Sequence, residues 1–221
     1  MASAAWDAVA DAAGVSEGTS VLDLGCGDGA FCAFAARRGA IVHGIDIEPD
    51  AIARALEAIP GADFRLGLME SLPWPDNSFD VVTAFDAVQY VLDPDLALTE
   101  AARVARPTGR IAVCKWGPPA ENEFFAFLMS LGSGGVSAGS LPATDPVEDA
   151  IRATDLEVLA IGEIAAPIEI ADDKALAASL LSAGVATATT SVTAAAARWR
   201  RVDGTYRFDN RQRYWILGNG R

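Results

Sequence analysis

The sequence predicts an α/β protein built around a doubly wound, parallel sheet. Two observations predict this fold. Short apolar runs typical of buried strands alternate with alanine-rich helical stretches, and 51% of the 221 residues are hydrophobic. Strands that alternate with helices imply parallel pairing through right-handed crossovers. Because a chain of this length suits one well-covered core, we predict a single domain over residues 1–221.

The first half of the chain contains most of the predicted elements. Its predicted strands are residues 20–24, 41–47, 64–68, 79–85 and 110–116. Its predicted helices are residues 2–13, 30–38, 49–59 and 94–106. Gly39 is placed to cap the second helix in a left-handed conformation, and Pro49 suits the first position of the third helix. This half therefore alternates strand and helix without a break.

The pattern loosens after Trp116. An aromatic cluster leads into a stretch rich in Gly and Ser, and we interpret residues 117–145 as an insertion or lid. A strand is predicted over residues 156–164, a helix over 172–184 and a final strand over 205–217. Aromatic residues in that last segment suit packing on a sheet.

Charge and cysteine content limit the functions to consider. The chain has 17 Lys and Arg against 30 Asp and Glu, so its formal net charge is −13. Such a surface repels nucleic acid and anionic membranes, and an uncharged, cationic or protein-delivered substrate is easier to accept. The three cysteines have no metal-ligand or disulfide-framework spacing, so we expect no metal site and a reducing cytoplasm. The start of the chain lacks a basic signal region, so we expect neither export nor membrane insertion.

A glycine-rich turn follows the first predicted strand. Gly25, Gly27 and Gly29 alternate with Cys26 and Asp28, in the position where a parallel α/β sheet lets its backbone approach a ligand closely. Glycine turns serve several nucleotide cofactors, and some are only tight chain reversals. The turn alone therefore leaves the ligand open.

An acidic residue ends the second predicted strand. Asp46 follows Gly29 by 17 residues, and a carboxylate in that place can accept hydrogen bonds from both ribose hydroxyls of an adenosine. The alternative is a surface Asp that merely ends a strand. The sole histidine, His43, shares the parity of Ile41 and Ile45, which favours a packed structural residue over a catalytic base.

Four motifs in order resemble class I S-adenosylmethionine-dependent methyltransferases, particularly the small-molecule branch that includes quinone-biosynthesis enzymes. The motifs are VLDLGCGDG at 21–29, GIDI at 44–47, LPWPDNSFDVV at 72–82 and RVARPTGR at 103–110. The resemblance covers residues 18–116. It implies a Rossmann-like sheet of seven strands with the last one antiparallel, the cofactor S-adenosylmethionine, and methyl transfer to a small molecule.

The same resemblance implies roles for individual residues. Asp23 and the turn at Gly25, Cys26, Gly27 and Gly29 are expected near the methionine part of the cofactor. Asp46 is expected at the ribose, Ile47 at the adenine and Phe85 at the closed end of the site. Similar proteins often carry an Asp facing the adenine amino group after strand three, whereas this chain has Leu68 there. Backbone groups near Met69 are the expected replacement. Trp74 either stacks nearby or fills the edge of the core.

Candidate catalytic residues follow the fourth strand. In the resembling fold that loop borders the transferred methyl group, so we predict Asp86 and Tyr90 as catalytic residues, with Gln89 as a further candidate. The alternative for Tyr90 is packing under the next helix. Trp116, Phe124 and Phe125, with Phe127 nearby, are predicted to line an apolar substrate pocket, although such spacing also suits a core.

Alternatives remain for the function and for what covers the site. A nicotinamide-dependent oxidoreductase also uses a glycine turn and an acidic strand end, but its fingerprint is GxGxxG and this turn reads GxGxG. A methyltransferase-like protein that binds the cofactor or a partner without transferring methyl groups is the second alternative. The segment after Trp116, the helix near residues 176–181 or a second subunit could cover the site, and the last of these implies a homo-oligomer.

Overall fold

The computed structural model describes residues 4–131, 145–182 and 189–219. They divide into two compact units. The first unit holds the described residues of the ranges 1–115, 144–164 and 213–221, and the second holds those of the ranges 116–143 and 165–212. The prediction that residues 1–221 act as one domain with a lid at 117–145 stays a prediction, and residues 132–144 of that segment lie outside the described residues.

Up to residue 116 the described elements follow the predicted order, and after it the chain contains further helices and strands that were not predicted. The strands are β1 (Ser20–Leu24), β2 (Ile41–Asp46), β3 (Asp63–Leu66), β4 (Phe79–Phe85), β5 (Ala105–Trp116), β6 (Glu157–Ala165), β7 (Ile168–Ile170), β8 (Tyr206–Phe208) and β9 (Arg211–Gly218). The helices are α1 (Ala4–Ala13), α2 (Ala30–Arg37), α3 (Pro49–Ala58), α4 (Pro94–Val104), α5 (Glu123–Ser130), α6 (Pro146–Ala153), α7 (Asp173–Ser182) and α8 (Thr189–Ala195). Short 3₁₀ turns occupy Val88–Tyr90, Pro119–Glu121 and Ala197–Trp199.

One seven-stranded sheet has the order β3-β2-β1-β4-β5-β9-β6. The pairs β1 with β2, β1 with β4, β2 with β3 and β4 with β5 are parallel. β9 lies antiparallel between β5 and β6. The predicted α/β class, with seven mostly parallel strands and an antiparallel last strand, is confirmed. Strand order reverses between β1 and β4, which is where ligands bind in open sheets of this kind.

Helices cover both faces of the large sheet. Leu22 and Val82 on one face are fully buried in a core shared with Leu98 of α4 and Ile151 of α6. On the other face a second core joins the strands to α1, α2 and α3, and Val21 is fully buried there. Alternate residues of β1 point to opposite cores, so the strand is buried on both sides, and Asp23 is its one buried polar residue.

The second unit has its own apolar core and a two-stranded antiparallel sheet, β7 with β8. Fully buried Phe127, Leu176, Tyr206 and Phe208 form the centre of that core. None of the helices in the described stretches of either unit has the length and apolarity to cross a bilayer.

The predicted strand over residues 205–217 is wrong as a single element. It divides at Asp209 and Asn210, and β8 before them pairs with β7 while β9 after them enters the large sheet. Side-chain hydrogen bonds explain the break. The buried Asn210 accepts from the Phe124 amide at 3.0 Å and donates to the Phe208 carbonyl at 3.1 Å, and the Asp209 amide donates to Glu123. These bonds satisfy backbone groups that a strand would pair in its ladder.

Candidate active site

The glycine turn is a sharp bend held against the second strand. Gly25, Gly27 and Gly29 have φ values of 69°, 53° and 78°, which L side chains rarely adopt. The Gly25 amide donates to the Ile45 carbonyl at 2.9 Å. A Cβ on Gly25 would lie 2.6 Å from the Ala87 Cβ, whereas a Cβ on Gly27 would meet nothing within 4 Å. The bend is therefore closed by protein at Gly25 and has open space beside it at Gly27.

The carboxylate of Asp46 joins this bend. One of its oxygens accepts a hydrogen bond from the Gly27 amide at 2.8 Å, and the other accepts from the Glu48 amide at 2.9 Å. The turn after β1 and the acidic end of β2 are thus parts of one structure. An ionised carboxylate has about four acceptor positions, so Asp46 keeps capacity for further donors.

Asp23 is a buried carboxyl group beside the same bend. Its side chain is 3% exposed and accepts a hydrogen bond from the Thr83 hydroxyl at 2.7 Å. Burial raises the pKa of Asp23 to about 7; the Thr83 hydrogen bond opposes this effect, and the charge of Asp46 adds to it. Among the described residues, no Lys or Arg forms an ion pair with Asp23. The carboxyl group therefore lacks the cationic partner that would keep it ionised.

A cavity of about 420 Å³ lies at the carboxyl ends of β1 to β4. Gly25 contributes to it, one wall comes from residues 45–47 and 67–70, and another wall comes from residues 86, 87 and 90–92. The surface is mostly apolar. Ile47 and Leu68 are 60% and 57% exposed, which is unusual for large apolar side chains next to a core and marks a surface suited to an apolar ring.

Asp86 and Tyr90 both line this cavity. Asp86 has φ 50°, a left-handed conformation that is uncommon for residues other than glycine, and its amide donates to the Cys114 carbonyl at 2.8 Å. Tyr90 ends the 3₁₀ turn and is 78% exposed. Gln89 is half-buried and is not part of the cavity wall.

The structure brings most of the predicted cofactor residues together. Gly25, Asp46, Ile47, Leu68 and Met69 line the cavity, and Gly27 and Asp23 lie beside it in the same bend or strand. The remaining predicted positions pack inward. Burial raises the pKa of the Cys26 thiol above its usual range, and a Cβ on Gly29 would lie 3.1 Å from Ala55 of α3.

Phe85 lies away from the cavity wall. Its ring centroid is 4.4 Å from that of Phe31 in α2, and it packs against the core on that face of the sheet. Two other residues also make contacts outside the cavity wall. His43 faces the Val21 carbonyl at 3.3 Å and the edge of Phe79, and the buried Trp74 donates to Asp63 at 3.0 Å.

The predicted substrate-pocket residues belong to the second unit. Phe124 packs against Phe127 and Phe208 at the edge of that unit's core, with a centroid distance of 5.1 Å to Phe208. Phe125 is half-buried and Trp116 is 36% exposed. Their role in holding a substrate stays a prediction.

Sequence reasoning missed several residues of the cavity wall. They are Ile45, Gly67, Glu70, Ala87, Val91 and Leu92. Their signal was positional, because each lies at or after the end of a predicted strand that ends at the same edge of the sheet as Gly25 and Asp46. For Ala87 the structure adds a reason for its small size, since a Cβ on Gly25 would lie 2.6 Å from the Ala87 Cβ.

Comparison with known proteins assigns the segment that carries this site. Residues 22–113 match the family model described as a methyltransferase domain. The match covers 92 of the 221 residues, less than half of the chain. The matched residues of the methyltransferase domain include the bend, Asp46 and the cavity walls, so the family match and the geometry concern the same part of the chain.

Relatives and solved structures agree with this assignment. The chain is 38% identical over 109 residues to a demethylmenaquinone methyltransferase of Tropheryma whipplei. The aligned residues cover 48% of this chain and 45% of the relative. It is 39% identical over 97 residues to a fatty-acid O-methyltransferase of Mycolicibacterium smegmatis, and the aligned residues cover 42% of this chain and 35% of that relative. The chain thus spans less than half the length of these curated relatives.

The fold has a close counterpart among solved structures. A crystal structure from Bacillus halodurans C-125, described as that of a candidate methyltransferase, superposes with a TM-score of 0.69 at 16% identity and covers 98% of this chain and 99% of that one. At this identity the likeness supports the fold alone.

Proposed function

We propose that the protein transfers a methyl group from S-adenosylmethionine to a small-molecule acceptor. One observation carries the proposal: the Gly27 amide and the Asp46 carboxylate meet at 2.8 Å on the border of an apolar cavity. An open backbone bend, a carboxylate with unused acceptor positions and an apolar wall are what an adenosine needs.

The residues present fit that cofactor. A Cβ on Gly27 would have no neighbour within 4 Å. This open space lets a ligand approach the backbone. The unused acceptor positions of Asp46 suit two ribose hydroxyls, and the exposed side chains of Ile47 and Leu68 suit the faces of an adenine. Asp23, buried without a cation, suits the amino group of the methionine part, because an ammonium ion would compensate its charge.

Leu68 cannot accept a hydrogen bond from the adenine amino group. We propose that backbone groups near Met69 do so instead, since Met69 is buried in the cavity wall and its neighbours Leu68 and Glu70 both line the cavity. In this arrangement Leu68 contributes apolar contact, and the base is identified by the main chain.

When bound, the cofactor supplies an electrophilic methyl group on a sulfonium ion. The chain's contribution is to bind, orient and exclude water. The bend and Asp46 fix the adenosine, and the apolar walls keep water from the reacting groups. We propose that a carboxylate oxygen of Asp86 accepts the proton of the acceptor's nucleophilic group and that the Tyr90 hydroxyl orients this group.

We also propose a chemical class for the molecule that accepts the methyl group. The names of the two relatives concern a demethylmenaquinone and a fatty acid. These are an uncharged ring system and a carboxylic acid, so the names agree on a small apolar acceptor and disagree on its charge. We also propose a cytoplasmic location, supported by three cysteines that are all free and buried.

Calorimetry with S-adenosylhomocysteine tests the cofactor assignment. We expect one binding site in the unmodified protein and about 10- to 100-fold weaker binding in Asp46→Asn, because hydrogen bonds to a charged group contribute about 1.5–3 kcal/mol. Asp50→Asn is the matched control, since it removes the same charge from an exposed position in α3 and should leave the dissociation constant within twofold.

Two outcomes contradict the cofactor assignment: equal affinity in Asp46→Asn and the unmodified protein, or heat from NADH with none from S-adenosylhomocysteine. Transfer itself is tested by incubating the protein and cell extract with cofactor carrying a labelled methyl group. Binding without label in any extract compound favours a cofactor-binding protein that does not transfer methyl groups.

A further inference from the structure

A buried hydrogen bond joins β1 and β4 at the point where the strand order reverses. In the parallel pairing of these strands Asp23 lies opposite Thr83. The Thr83 hydroxyl donates to Oδ1 of Asp23 at 2.7 Å, and both side chains are buried. Ligands bind at such a reversal in open α/β sheets, and the bend that begins at Gly25 follows directly along the chain. The bond therefore lies next to the proposed cofactor site.

Packing alone does not require a hydroxyl at position 83. Thr83 is fully buried in β4, where its neighbours Val82 and Ala84 belong to the apolar core. Valine has the same branched shape and suits a strand equally well, whereas a buried hydroxyl is costly unless it is bonded. The Leu22 carbonyl lies 3.4 Å from this hydroxyl, much farther than the Asp23 oxygen. The hydroxyl is therefore directed at the carboxyl group.

The second oxygen of Asp23 keeps acceptor capacity for a ligand. Oδ2 lies 4.0 Å from the sulfur of Cys32 in α2, and a thiol is a weak donor. Burial raises the pKa of this thiol and of the nearby Cys26 thiol, so both stay neutral. The negative charge of Asp46 also acts on the carboxyl group. Because these neighbours are neutral or acidic, a cationic ligand group would compensate the charge of Asp23.

We infer that Thr83 is a positioning residue for the cofactor: its hydroxyl keeps the Asp23 carboxylate ionised and oriented for the ammonium group of the methionine part. This inference rests on the proposed function and adds a residue to the same site. The hydrogen bond from Thr83 lowers the pKa of Asp23 against the larger effect of burial. Without that bond the carboxyl group would keep its proton to higher pH and would offer the ammonium group no charge.

Calorimetry with S-adenosylhomocysteine between about pH 5.5 and 9 tests this role. Because the ammonium group binds the ionised carboxylate, the association constant of the unmodified protein should rise with pH and reach half its plateau at about pH 7. In Thr83→Val we expect this midpoint about one pH unit higher and binding at pH 7 about fivefold weaker, since a bond to the ionised form is lost.

Three further variants control this measurement. Thr83→Ser keeps the hydroxyl and should restore the midpoint of the unmodified protein. Thr154→Val is the matched control, because the half-buried Thr154 donates its hydroxyl to the Ile151 carbonyl at the end of α6, and it should leave the midpoint unchanged. Thr83→Ala removes the same hydroxyl and carries the test if circular dichroism shows that Thr83→Val does not fold.

A double variant separates positioning from packing. If Thr83 acts through Asp23, adding Thr83→Val to Asp23→Asn should change the dissociation constant of S-adenosylhomocysteine by less than about twofold, because the group that Thr83 positions is already gone. Asp23→Asn itself should remove the rise of affinity with pH.

The outcomes separate this inference from the proposed function. An unshifted midpoint in the variants without the hydroxyl would overturn the role of Thr83, while the cofactor assignment would stand. Equal losses from Thr83→Val with and without the Asp23 carboxylate would do the same, because they would indicate an effect of packing. If S-adenosylhomocysteine does not bind the unmodified protein, the proposed function is overturned, and this inference with it.

Discussion

Carboxylates at the two ends of the parallel sheet have different bonding partners. At the amino ends, Asp63 of β3 is bonded to Arg65, and Asp80 of β4 is paired with Arg106 and accepts the Ser20 amide at 2.9 Å. At the carboxyl ends, Asp23 and Asp46 receive hydroxyl or amide donors but no ion pair from any described residue. Described ion pairs neutralise the carboxylates at the amino ends, and none does so for Asp23 and Asp46 at the carboxyl ends.

The pKa values follow the same division. Hydrogen bonds from Arg65 hold the pKa of Asp63 below its usual range. For Asp80, burial alone would raise the pKa, but the Ser20 amide and Arg106 outweigh that effect and lower it. Asp23 is shifted the opposite way, to about 7. Groups perturbed by burial without a compensating charge are concentrated at functional sites, which supports the choice of this end as the active one.

The largest expected effect comes from Asp23→Asn. A pKa raised from 3.8 to about 7 means that wild-type stability falls as pH rises from 3.8 to 7, because the unfolded chain releases the proton first. The variant should match the wild type near pH 3.5 and exceed it by up to about 4 kcal/mol above pH 7. Urea unfolding at several pH values measures this difference.

The same variant should bind S-adenosylhomocysteine more weakly, because it loses the charge proposed to meet the amino group. Higher stability with lower affinity is the signature of a residue kept for function. A stability difference that does not change with pH would show that Asp23 is not the buried titrating group described above.

Arg103→Lys should have the next largest effect. The Arg103 guanidinium binds both oxygens of Glu100, Asp76 and the carbonyls of Leu72 and Trp74. Lysine has three donors on one atom and cannot reproduce this fork. We expect a loss of about 2 kcal/mol in the free energy of unfolding, since the site is only partly exposed.

Arg106→Lys is the matched control for that change, because Arg106 forms a single, more exposed pair with Asp80. Its cost should stay below about 1 kcal/mol. Equal losses in the two variants, measured by urea unfolding at pH 7, would contradict the role given to the five-donor geometry.

Asp80→Asn should give the smallest effect and the opposite sign to Asp23→Asn. Because its pKa is lowered in the folded state, Asp80 stabilises the fold above pH 3.8, and this contribution is lost as pH falls through the folded-state pKa. The side chain is more than a third exposed, so we expect a loss of about 0.5–1 kcal/mol at pH 7. A gain in the stability of Asp80→Asn at pH 7 would contradict the difference described between the two ends of the sheet.

Local patterns predicted the sheet and the centre of the site because both depend on short segments. The bend at residues 25–29 and Asp46 each follow a strand, and parallel strands bring their carboxyl ends to one edge, so their meeting follows from topology. His43 was predicted as structural from its parity in β2, and its contacts agree with that prediction.

Features set by side-chain packing were not predictable in this way. Phe85 ends the same strand that leads to Asp86, but its ring turns to Phe31 on the opposite face from the cavity. The division of residues 205–217 depends on Asn210, whose partner Phe124 is 86 residues away in sequence. The contact of Ala87 with the bend requires knowing that β4 lies next to β1.

The position of His43 gives the protein a built-in spectroscopic reporter. It is the sole histidine of the chain, so its imidazole protons give a single set of resonances without isotope editing by residue type. His43 lies in β2, three residues before Asp46. Its ring nitrogen Nδ1 is 3.3 Å from the Val21 carbonyl oxygen of β1, so the ring contacts both strands. Nuclear magnetic resonance of that one ring can therefore follow the pairing of β1 with β2 in an unlabelled sample.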